Sequence, residues 1–234
     1  MLLTTDHIFC GYGDRPVLND VSLSVNEGEA VLIAGPNGCG KSTLLKAVSG
    51  VLKLSAGDIK LSGESLAGLP VERRIRLGIG YLRQSDNIFP GQTVEENFDL
   101  AGLMLSRAVY LSARDEMLEL FPFLKAKLKD RSGSLSGGQR QALALAMVFL
   151  SPKKLYLLDE PTAGLSPAAA QDIMDRVRLF VKDDVTRSVL MVEHRLDLLS
   201  WVDRAVFLSQ GKVKSETHDI TLLQNADWLA KNYF

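Results

Sequence analysis

A glycine-rich loop set between an apolar run and a helical pattern constrains the fold of this chain most strongly. The run Ala30–Ala34 is apolar at every position, as in a buried parallel strand. It leads into Gly35–Ser42, GPNGCGKS, which has the G-x-x-x-x-G-K-[ST] spacing of a phosphate-binding loop. A helical pattern then runs from Lys41 to Ser49 and stops at Gly50. A strand, a glycine loop and a helix in this order predict an α/β fold with a parallel sheet and a nucleotide site at the loop.

The loop offers the groups that bind phosphate, which an ordinary glycine-rich turn does not need. Its glycines let backbone amides converge on the β- and γ-phosphates, and the helix behind it adds N-terminal amides and the positive end of its dipole. Lys41 brings a positive charge to the phosphate oxygens, and the Ser42 hydroxyl suits Mg²⁺. Cys39 lies beside Lys41 and the helix start, which favours a reactive thiolate that a bound nucleotide covers. The candidate nucleotide contacts are Gly35, Pro36, Asn37, Gly38, Cys39, Gly40, Lys41, Ser42 and Thr43.

A second apolar run, Lys154–Leu158, delivers two carboxylates, Asp159 and Glu160, at its end. The carboxyl ends of strands in open α/β sheets are where ligands bind. Adjacent residues on a strand point in opposite directions, so the two acids are expected to have separate tasks. Asp159 would hold Mg²⁺ through water, and Glu160 would orient and deprotonate the attacking water. A strand that ends in two solvated acids is the alternative, and the phosphate loop makes it the weaker interpretation.

A third segment, Leu135–Gln139 with the sequence LSGGQ, precedes the helical run Arg140–Leu150. A Ser-Gly-Gly turn at a helix start presents amides and a hydroxyl to an anion. Taken alone, the same residues also suit a helix that is merely N-capped.

The rest of the chain divides into strand-rich ends and a helical middle. Two β-like segments near the start, broken by glycines, predict an antiparallel sheet. From Thr93 to Leu150 the pattern is helical, and Thr93 with Glu96 forms a capping box at its start. A further helix is predicted from Pro167 to about Lys182, opened by Ser166 or Pro167. The remaining predicted strands are Leu2–Ile8, Val17–Val25, Ile79–Gln84, Ser188–Val192 and Ala205–Leu208.

Composition excludes several classes of protein. The 234 residues carry 27 Lys and Arg against 28 Asp and Glu, a net charge of −1, so a nucleic-acid coat protein is not expected. Two cysteines, Cys10 and Cys39, cannot build a disulfide framework. The longest apolar run, Ala142–Leu150, is about half the length of a membrane span, and Asp6 precedes any basic residue, unlike a signal peptide. These features predict a soluble, intracellular protein.

Five features follow one another along the chain: GPNGCGKST, Gln84, LSGGQ, LYLLDEP and His194. In this order they resemble the motifs of the ATP-binding subunit of ABC transporters, and the resemblance covers essentially the whole chain. It implies one ABC ATPase domain over residues 1–234. Residues 1–87 and 151–234 would form a P-loop NTPase core of RecA type with an antiparallel β portion. Residues 88–150 would form a helical subdomain inserted into that core.

The resemblance also implies a role for each matching residue. Tyr12 would stack on adenine, Gln84 would approach Mg²⁺ and the attacking water, and His194 would contact the γ-phosphate. Glu160, His194 and Gln84 are thus the candidate catalytic residues. The candidate metal residues are Ser42, Gln84 and Asp159. In the family the LSGGQ segment of one subunit closes over the phosphate loop of another, which adds Ser136, Gly137, Gly138 and Gln139 to the ATP contacts.

The implied partners are a second ATPase chain, identical or paralogous, and transmembrane permease subunits, with no nucleic acid. The chain would then be cytoplasmic and peripheral on the inner face of the cell membrane. The loop Pro161–Pro167 matches the family's dimer-interface loop but has Ser166 where the family commonly has Asp. The segment Asn87–Pro90 and the GLSP ending of the loop look most like subunits of branched-chain amino acid or urea/amide importers.

Two alternatives differ in class. A soluble ABC ATPase of an assembly factor, such as one for iron–sulfur clusters, would share all these motifs. A kinase with the same phosphate loop has no reason to carry LSGGQ.

Two further groups of residues are interpreted as structural. Arg73, Arg74 and Arg76 after Pro70 are predicted to form a solvated helix face, and Trp228 with Phe234 to pack the C-terminal end.

Overall fold

The computed structural model describes residues 1–225 and 227–229, which form two β-sheets with helices packed around them. The strands are β1 Leu3–Tyr12, β2 Arg15–Val25, β3 Ala30–Ala34, β4 Leu54–Leu61, β5 Glu64–Ser65, β6 Ile79–Leu82, β7 Leu155–Asp159, β8 Ser188–Val192, β9 Arg204–Ser209 and β10 Lys212–Thr217. The α-helices are α1 Lys41–Ser49, α2 Val71–Leu77, α3 Val94–Ala101, α4 Arg107–Leu120, α5 Gly137–Phe149 and α6 Pro167–Asp183. Short 3₁₀ turns cover Pro122–Lys127, Ser132–Ser134, Leu196–Leu198 and Ile220–Gln224.

The larger sheet has the strand order β10-β9-β3-β8-β7-β6. The strands from β9 to β6 are parallel, and β10 is antiparallel to β9 at the edge. Every residue of β3, β7 and β8 is buried, as their unbroken apolar sequences predict for strands covered on both faces. The predicted α/β fold with a parallel sheet is therefore confirmed.

The smaller sheet is antiparallel, in the order β2-β1-β4-β5, and it covers one face of the larger sheet with α1 between them. The apolar side chains of α1, such as Leu44 and Leu45, share one core with Val31 and Ile33 of β3 and with Ile8 of β1. The helix that follows the phosphate loop is thus held from both sides. The predicted antiparallel portion is confirmed, but the sequence analysis missed β4, β5 and β10.

The other face of the larger sheet packs against helices. Leu32 of β3 and Leu158 of β7 share a second core with α3, α4, α5 and α6. The predicted helical middle is observed, and its capping box is formed, because Glu96 N donates to Thr93 Oγ1 and Thr93 N donates to Glu96 Oε2. Ser166 caps α6, which begins at Pro167 as predicted.

Arg74 corrects the prediction of a solvated face on α2. Arg73 and Arg76 are exposed, but Arg74 is only 6% exposed. Its guanidinium donates to the carbonyls of Ala47 and Val48 at the end of α1, and to those of Leu66 and Leu69. The last carbonyls of a helix have no partner within it, so a buried helix end needs such a donor. Burial lowers the pKa of Arg74.

The C-terminal prediction is tested only in part. The Trp228 ring packs edge-on against Phe207, with ring centroids 5.0 Å apart, and Phe234 lies outside the described residues.

Among the residues that the structure describes, no helix has the length and hydropathy to cross a bilayer.

Replacing Arg74 with Met should lower the free energy of unfolding by about 2–4 kcal/mol, because four buried or part-buried carbonyls lose the bond from the guanidinium, and only those of Ala47 and Leu66 keep a backbone N–H donor, from Gly50 and Leu69. Urea unfolding followed by circular dichroism measures the change. The matched control is Arg73→Met, on the exposed face of the same helix, which should stay within about 0.5 kcal/mol of the wild type. Equal stabilities for the two variants would contradict this role of Arg74.

Candidate active site

The phosphate loop, Gly35–Ser42, has a backbone that only glycine accommodates at two of its positions. Gly35 has φ 145°, and a Cβ there would lie 2.1 Å from the Leu208 carbonyl oxygen. Gly40, at φ 112°, approaches the Leu18 side chain so closely that a Cβ would lie 2.7 Å from it. These close approaches fix the loop between β9 and β2, directly ahead of the first turn of α1.

Lys41 lies inside the loop and is buried. Its Nζ donates to the carbonyls of Gly35 at 2.7 Å and of Pro36 at 3.0 Å. An ammonium group has three donors, so these two bonds leave one N–H for a phosphate oxygen. The loop thus holds the lysine charge at the amides that α1 and the glycines present.

Ser42 and Asp159 meet at the start of α1. Ser42 Oγ donates to Asp159 Oδ1 at 2.8 Å, and Tyr81 OH donates to Oδ2 at 3.4 Å. Burial raises the pKa of Asp159 because it disfavours the charged form of the carboxyl. A cation next to this carboxyl would stabilise the charged form. The described residues contain no cluster of three acidic, His or Cys side chains that could hold a metal by themselves. One hydroxyl and one carboxylate instead fit Mg²⁺, which is commonly held through few protein oxygens together with substrate phosphates.

Glu160 connects two further predicted residues. Gln84 Nε2 donates to Glu160 Oε2 at 2.9 Å, and His194 Nε2 lies 3.1 Å from Oε1. Glu160 has a left-handed backbone with φ 51°, and its N–H donates to the Val192 carbonyl. The two adjacent acids therefore have different partners, as expected for the end of a strand. The structure brings Gln84, Glu160 and His194 together at one point.

Tyr12 and Glu160 line a cavity of about 480 Å³ with the phosphate loop. Tyr12 is 48% exposed at the end of β1, which leaves ring surface open to stacking. Lys46 lies beside it, with Nζ 3.2 Å from the Tyr12 hydroxyl and 5.6 Å from the ring centroid. Lys46 was not predicted as a site residue, although it follows Ser42 by four residues and so shares its helix face.

The LSGGQ segment lies elsewhere in the chain. Ser136 and Gln139 form a capping box at the start of α5, with Gln139 N donating to Ser136 Oγ and Ser136 N donating to Gln139 Oε1. Gly137 lines a separate cleft of about 450 Å³ with Gln84 and Ile88. None of the predicted LSGGQ contacts, Ser136, Gly137, Gly138 and Gln139, lines the phosphate-loop cavity of its own chain.

Cys39 corrects the prediction of a reactive thiolate. The side chain is buried in the core between α1 and the two sheets. Burial raises the pKa of the Cys39 thiol, and this outweighs the opposing effect of Lys41. The loop backbone, which presents the amides of a helix start, thus directs this side chain inward.

Cys39 should therefore react slowly with iodoacetamide at neutral pH, with or without MgATP, since both low exposure and a raised pKa reduce the thiolate available. Mass spectrometry of timed samples measures labelling at this residue. The unfolded chain in urea is the control and should label rapidly. Rapid labelling of Cys39 in the native chain would contradict the buried position.

Glu193 is a second residue that the sequence analysis missed. It lies between β8 and His194, it is buried, and its carboxylate contacts the loop after Glu160. Its position directly after the apolar strand β8 was the one feature of the sequence that could have indicated a site residue. Its burial could not be predicted, because it depends on contacts with Thr162, which is distant in sequence.

Comparison with known proteins adds to this geometry. The sequence profile of the ABC transporter family matches residues 18–163. LivF of Archaeoglobus fulgidus, a probable branched-chain amino acid transport ATP-binding protein, is 38% identical over 213 residues, 91% of this chain and 90% of that protein. BraG of Pseudomonas aeruginosa, a high-affinity branched-chain amino acid transport ATP-binding protein, is 37% identical over 225 residues, 96% of each chain. LptB of Escherichia coli K12, the ATP-binding protein of a lipopolysaccharide export system, is 35% identical over 229 residues, 95% of this chain and 93% of that protein.

The solved structures that match this chain in fold are also ATP-binding cassettes. A nucleotide-free ATP-binding cassette from an ABC transporter matches with a TM-score of 0.85 and 27% identity, covering 100% of this chain and 98% of that chain. A dimeric ATP-binding cassette in a post-hydrolysis state, bound to ADP and Pi, matches with a TM-score of 0.81 and 25% identity, covering 93% of this chain and 98% of that chain.

Proposed function

Because this chain belongs to the ABC transporter family, we propose that it binds MgATP at the phosphate loop and closes over it as a dimer to move a solute through separate membrane subunits. As a family member it is the ATP-binding and ATP-hydrolysing subunit of a transporter. The observation that carries the detailed proposal is the contact of Glu160 with both Gln84 and His194, beside the Ser42–Asp159 pair. The relatives favour a transporter over an iron–sulfur assembly factor.

We propose that the nucleotide lies in the cavity between Tyr12 and Glu160. Lys41 and the backbone amides from Asn37 to Thr43 would bind the phosphates, and Tyr12, held by Lys46, would stack on the adenine. Mg²⁺ would be held by Ser42 and Asp159 with Gln84 nearby, and it would neutralise negative charge on the phosphates.

Glu160 is proposed as the general base. Its carboxylate can accept a proton from an attacking water, and the bonds from Gln84 and His194 hold it in place. His194 would contact the γ-phosphate from the same position.

The second half of the site is proposed to come from another chain. The LSGGQ contacts, Ser136, Gly137, Gly138 and Gln139, do not line the cavity of their own chain, and a solved relative with ADP and Pi is dimeric. A second ATPase chain, identical or paralogous, would supply them. Ser166 in the interface loop accepts a hydrogen bond from Ala169 N as the cap of α6, so its hydroxyl has a role within the chain.

Replacing Glu160 with Gln should lower the rate of ATP hydrolysis by about 10²–10⁴, because the amide keeps the size of the side chain but accepts no proton. ATP binding should survive, since Lys41, Ser42 and Asp159 are unchanged. Phosphate release measures the rate, and gel filtration with and without ATP measures dimer formation, which the trapped nucleotide should stabilise.

The matched control is Glu64→Gln, an exposed acid in β5, which should hydrolyse ATP at the wild-type rate. Wild-type hydrolysis by Glu160→Gln would show that Glu160 is not the base. A variant that binds ATP and stays monomeric would contradict the shared site for the isolated chain.

We further propose that residues 88–150 act as a helical subdomain on a core of residues 1–87 and 151–234. The cleft that Gln84 and Ile88 line with Gly137 opens where the two parts meet, and it would receive a permease subunit. Such docking would make the chain peripheral at the cytoplasmic face of the membrane. The names of LivF and BraG support branched-chain amino acids or a related small polar solute as the cargo, taken up by the cell. Lipopolysaccharide export, by analogy with LptB, is the competing possibility.

A charge beside this cleft should uncouple transport from hydrolysis. Phe89 does not line the cleft itself but lies between the lining residues Ile88 and Pro90, and its side chain is 51% exposed. Phe89→Asp should therefore leave basal ATPase activity near that of the wild type while leucine uptake is lost. Ile88→Asp should act in the same direction, with some loss of stability because Ile88 is partly buried. Both activities are measured in membrane vesicles that contain the chain and the permease subunits with which it copurifies.

The control is Val185→Asp, a similar change at a residue that is 83% exposed and, unlike Phe89, is not adjacent in sequence to any residue of the cleft. It should keep both activities. Joint loss of uptake and hydrolysis in Phe89→Asp would mark Phe89 as part of the core, and wild-type vesicles that take up no leucine would contradict the proposed solute.

A further inference from the structure

The carboxylate of Glu193 is bonded to two loops at once. Its Oε2 accepts from Thr162 N at 3.2 Å and from Thr162 Oγ1 at 2.6 Å. Its Oε1 accepts from His194 N at 2.7 Å and from Arg195 N at 3.1 Å. One oxygen therefore holds the loop that follows Glu160, and the other holds the backbone at His194.

These four bonds use the full capacity of the group. An ionised carboxylate has about four acceptor sites, and Glu193 is 2% exposed, so water does not fill them. Within the described part of the chain, none of the ion pairs of Lys, Arg or His includes Glu193. A buried carboxylate without a cation is retained only where hydrogen bonds satisfy it, and these come from the two loops. The four hydrogen bonds that make the burial of Glu193 possible are therefore also the bonds that join the two loops.

A backbone bond lies next to this side-chain link. Glu160 N donates to the Val192 carbonyl at 2.9 Å, and Ala163 N donates to the Glu160 carbonyl. Glu160 has a left-handed backbone, which persists only where neighbouring contacts hold it. The loop that carries Glu160 is therefore attached to the end of β8 at two points, and Glu193 is the second.

We propose that Glu193 is a positioning residue for ATP hydrolysis, which sets the position of His194 relative to Glu160 by tying Thr162 to the backbone of His194 and Arg195. A displacement of the interface loop Pro161–Pro167 is then passed to His194 through this carboxylate. The proposal rests on the roles proposed above for Glu160 and His194.

The test is Glu193→Gln. The amide keeps the size of the side chain, but its NH₂ group meets the donors of one loop, so one pair of bonds is lost. The turnover per ATP-binding site should fall about tenfold or more, while the affinity for ATP stays within about twofold. Titration with a fluorescent ATP analogue counts the folded sites, so that unfolded protein does not lower the measured turnover.

The matched control is Glu29→Gln, at another buried acid outside the site. Glu29 accepts from Arg204 Nε and from Asn26 N, so the control also breaks a buried hydrogen-bonded acid. It should lower the thermal midpoint but keep the wild-type turnover per site. If Glu193→Gln keeps wild-type turnover per site, as the control does, the positioning role is overturned.

A double-mutant cycle with Thr162→Val tests the link itself. Val keeps the shape of Thr and removes the hydroxyl that donates to Glu193. If the two residues act together, Thr162→Val lowers turnover per site and the double variant is no slower than Glu193→Gln. Independent, multiplying effects would overturn the coupling. Glu160→Gln is assayed alongside to distinguish a failure of the proposed function from a failure of this inference. Wild-type activity in Glu160→Gln contradicts Glu160 as the base and does not bear on the bond between Glu193 and Thr162.

Discussion

The close approach of the phosphate loop to the turn between β9 and β10 is the constraint on which the rest of the structure depends. Gln210 and Gly211 form that two-residue turn, and both have positive φ, as a type I′ hairpin requires. Gly211 N donates to the Cys39 carbonyl, and the Gly211 carbonyl accepts from Asn19 N. The phosphate loop is therefore bonded at its back to an edge hairpin that is also bonded to β2. Its amides are held before any phosphate binds, which avoids the entropy cost of ordering the loop.

Helix α1 transmits this rigidity through the fold. Its first turn follows the phosphate loop, and its last carbonyls accept from Arg74, which lies on a different helix. Between these ends, its side chains fill the space between the two sheets. Since both ends and both faces are held, the position of Lys41 and Ser42 is determined by the packing of the whole core. The antiparallel sheet thus contributes to the site by covering α1, in addition to placing Tyr12.

The features that the sequence predicted are those encoded within a few residues. The phosphate loop, the Thr93–Glu96 capping box and the buried strands β3, β7 and β8 each depend on neighbours in the chain, and each is observed. Arg74 and Cys39 were predicted wrongly because their burial depends on elements distant in sequence. Strands β4 and β10 were not predicted, because β4 contains a glycine and the edge strand β10, KVKSET, contains one apolar residue, Val213. The meeting of Gln84, Glu160 and His194 followed only from the family resemblance, since no local pattern connects them.

The strand order explains why those residues meet. Parallel strands present their carboxyl ends at one edge of the sheet, and the neighbours β3, β8, β7 and β6 end in the phosphate loop, His194, Glu160 and Gln84 respectively. Because β8 and β7 are adjacent, the loops that follow them are close enough for one glutamate side chain to join them. The loop after β3 reaches Asp159 through Ser42, at the start of its helix. The groups proposed to bind the nucleotide and those proposed to hydrolyse it therefore follow neighbouring strands of one sheet. A shift between those strands would change both together, whereas a movement of the interface loop after β7 would first reach His194 through Glu193.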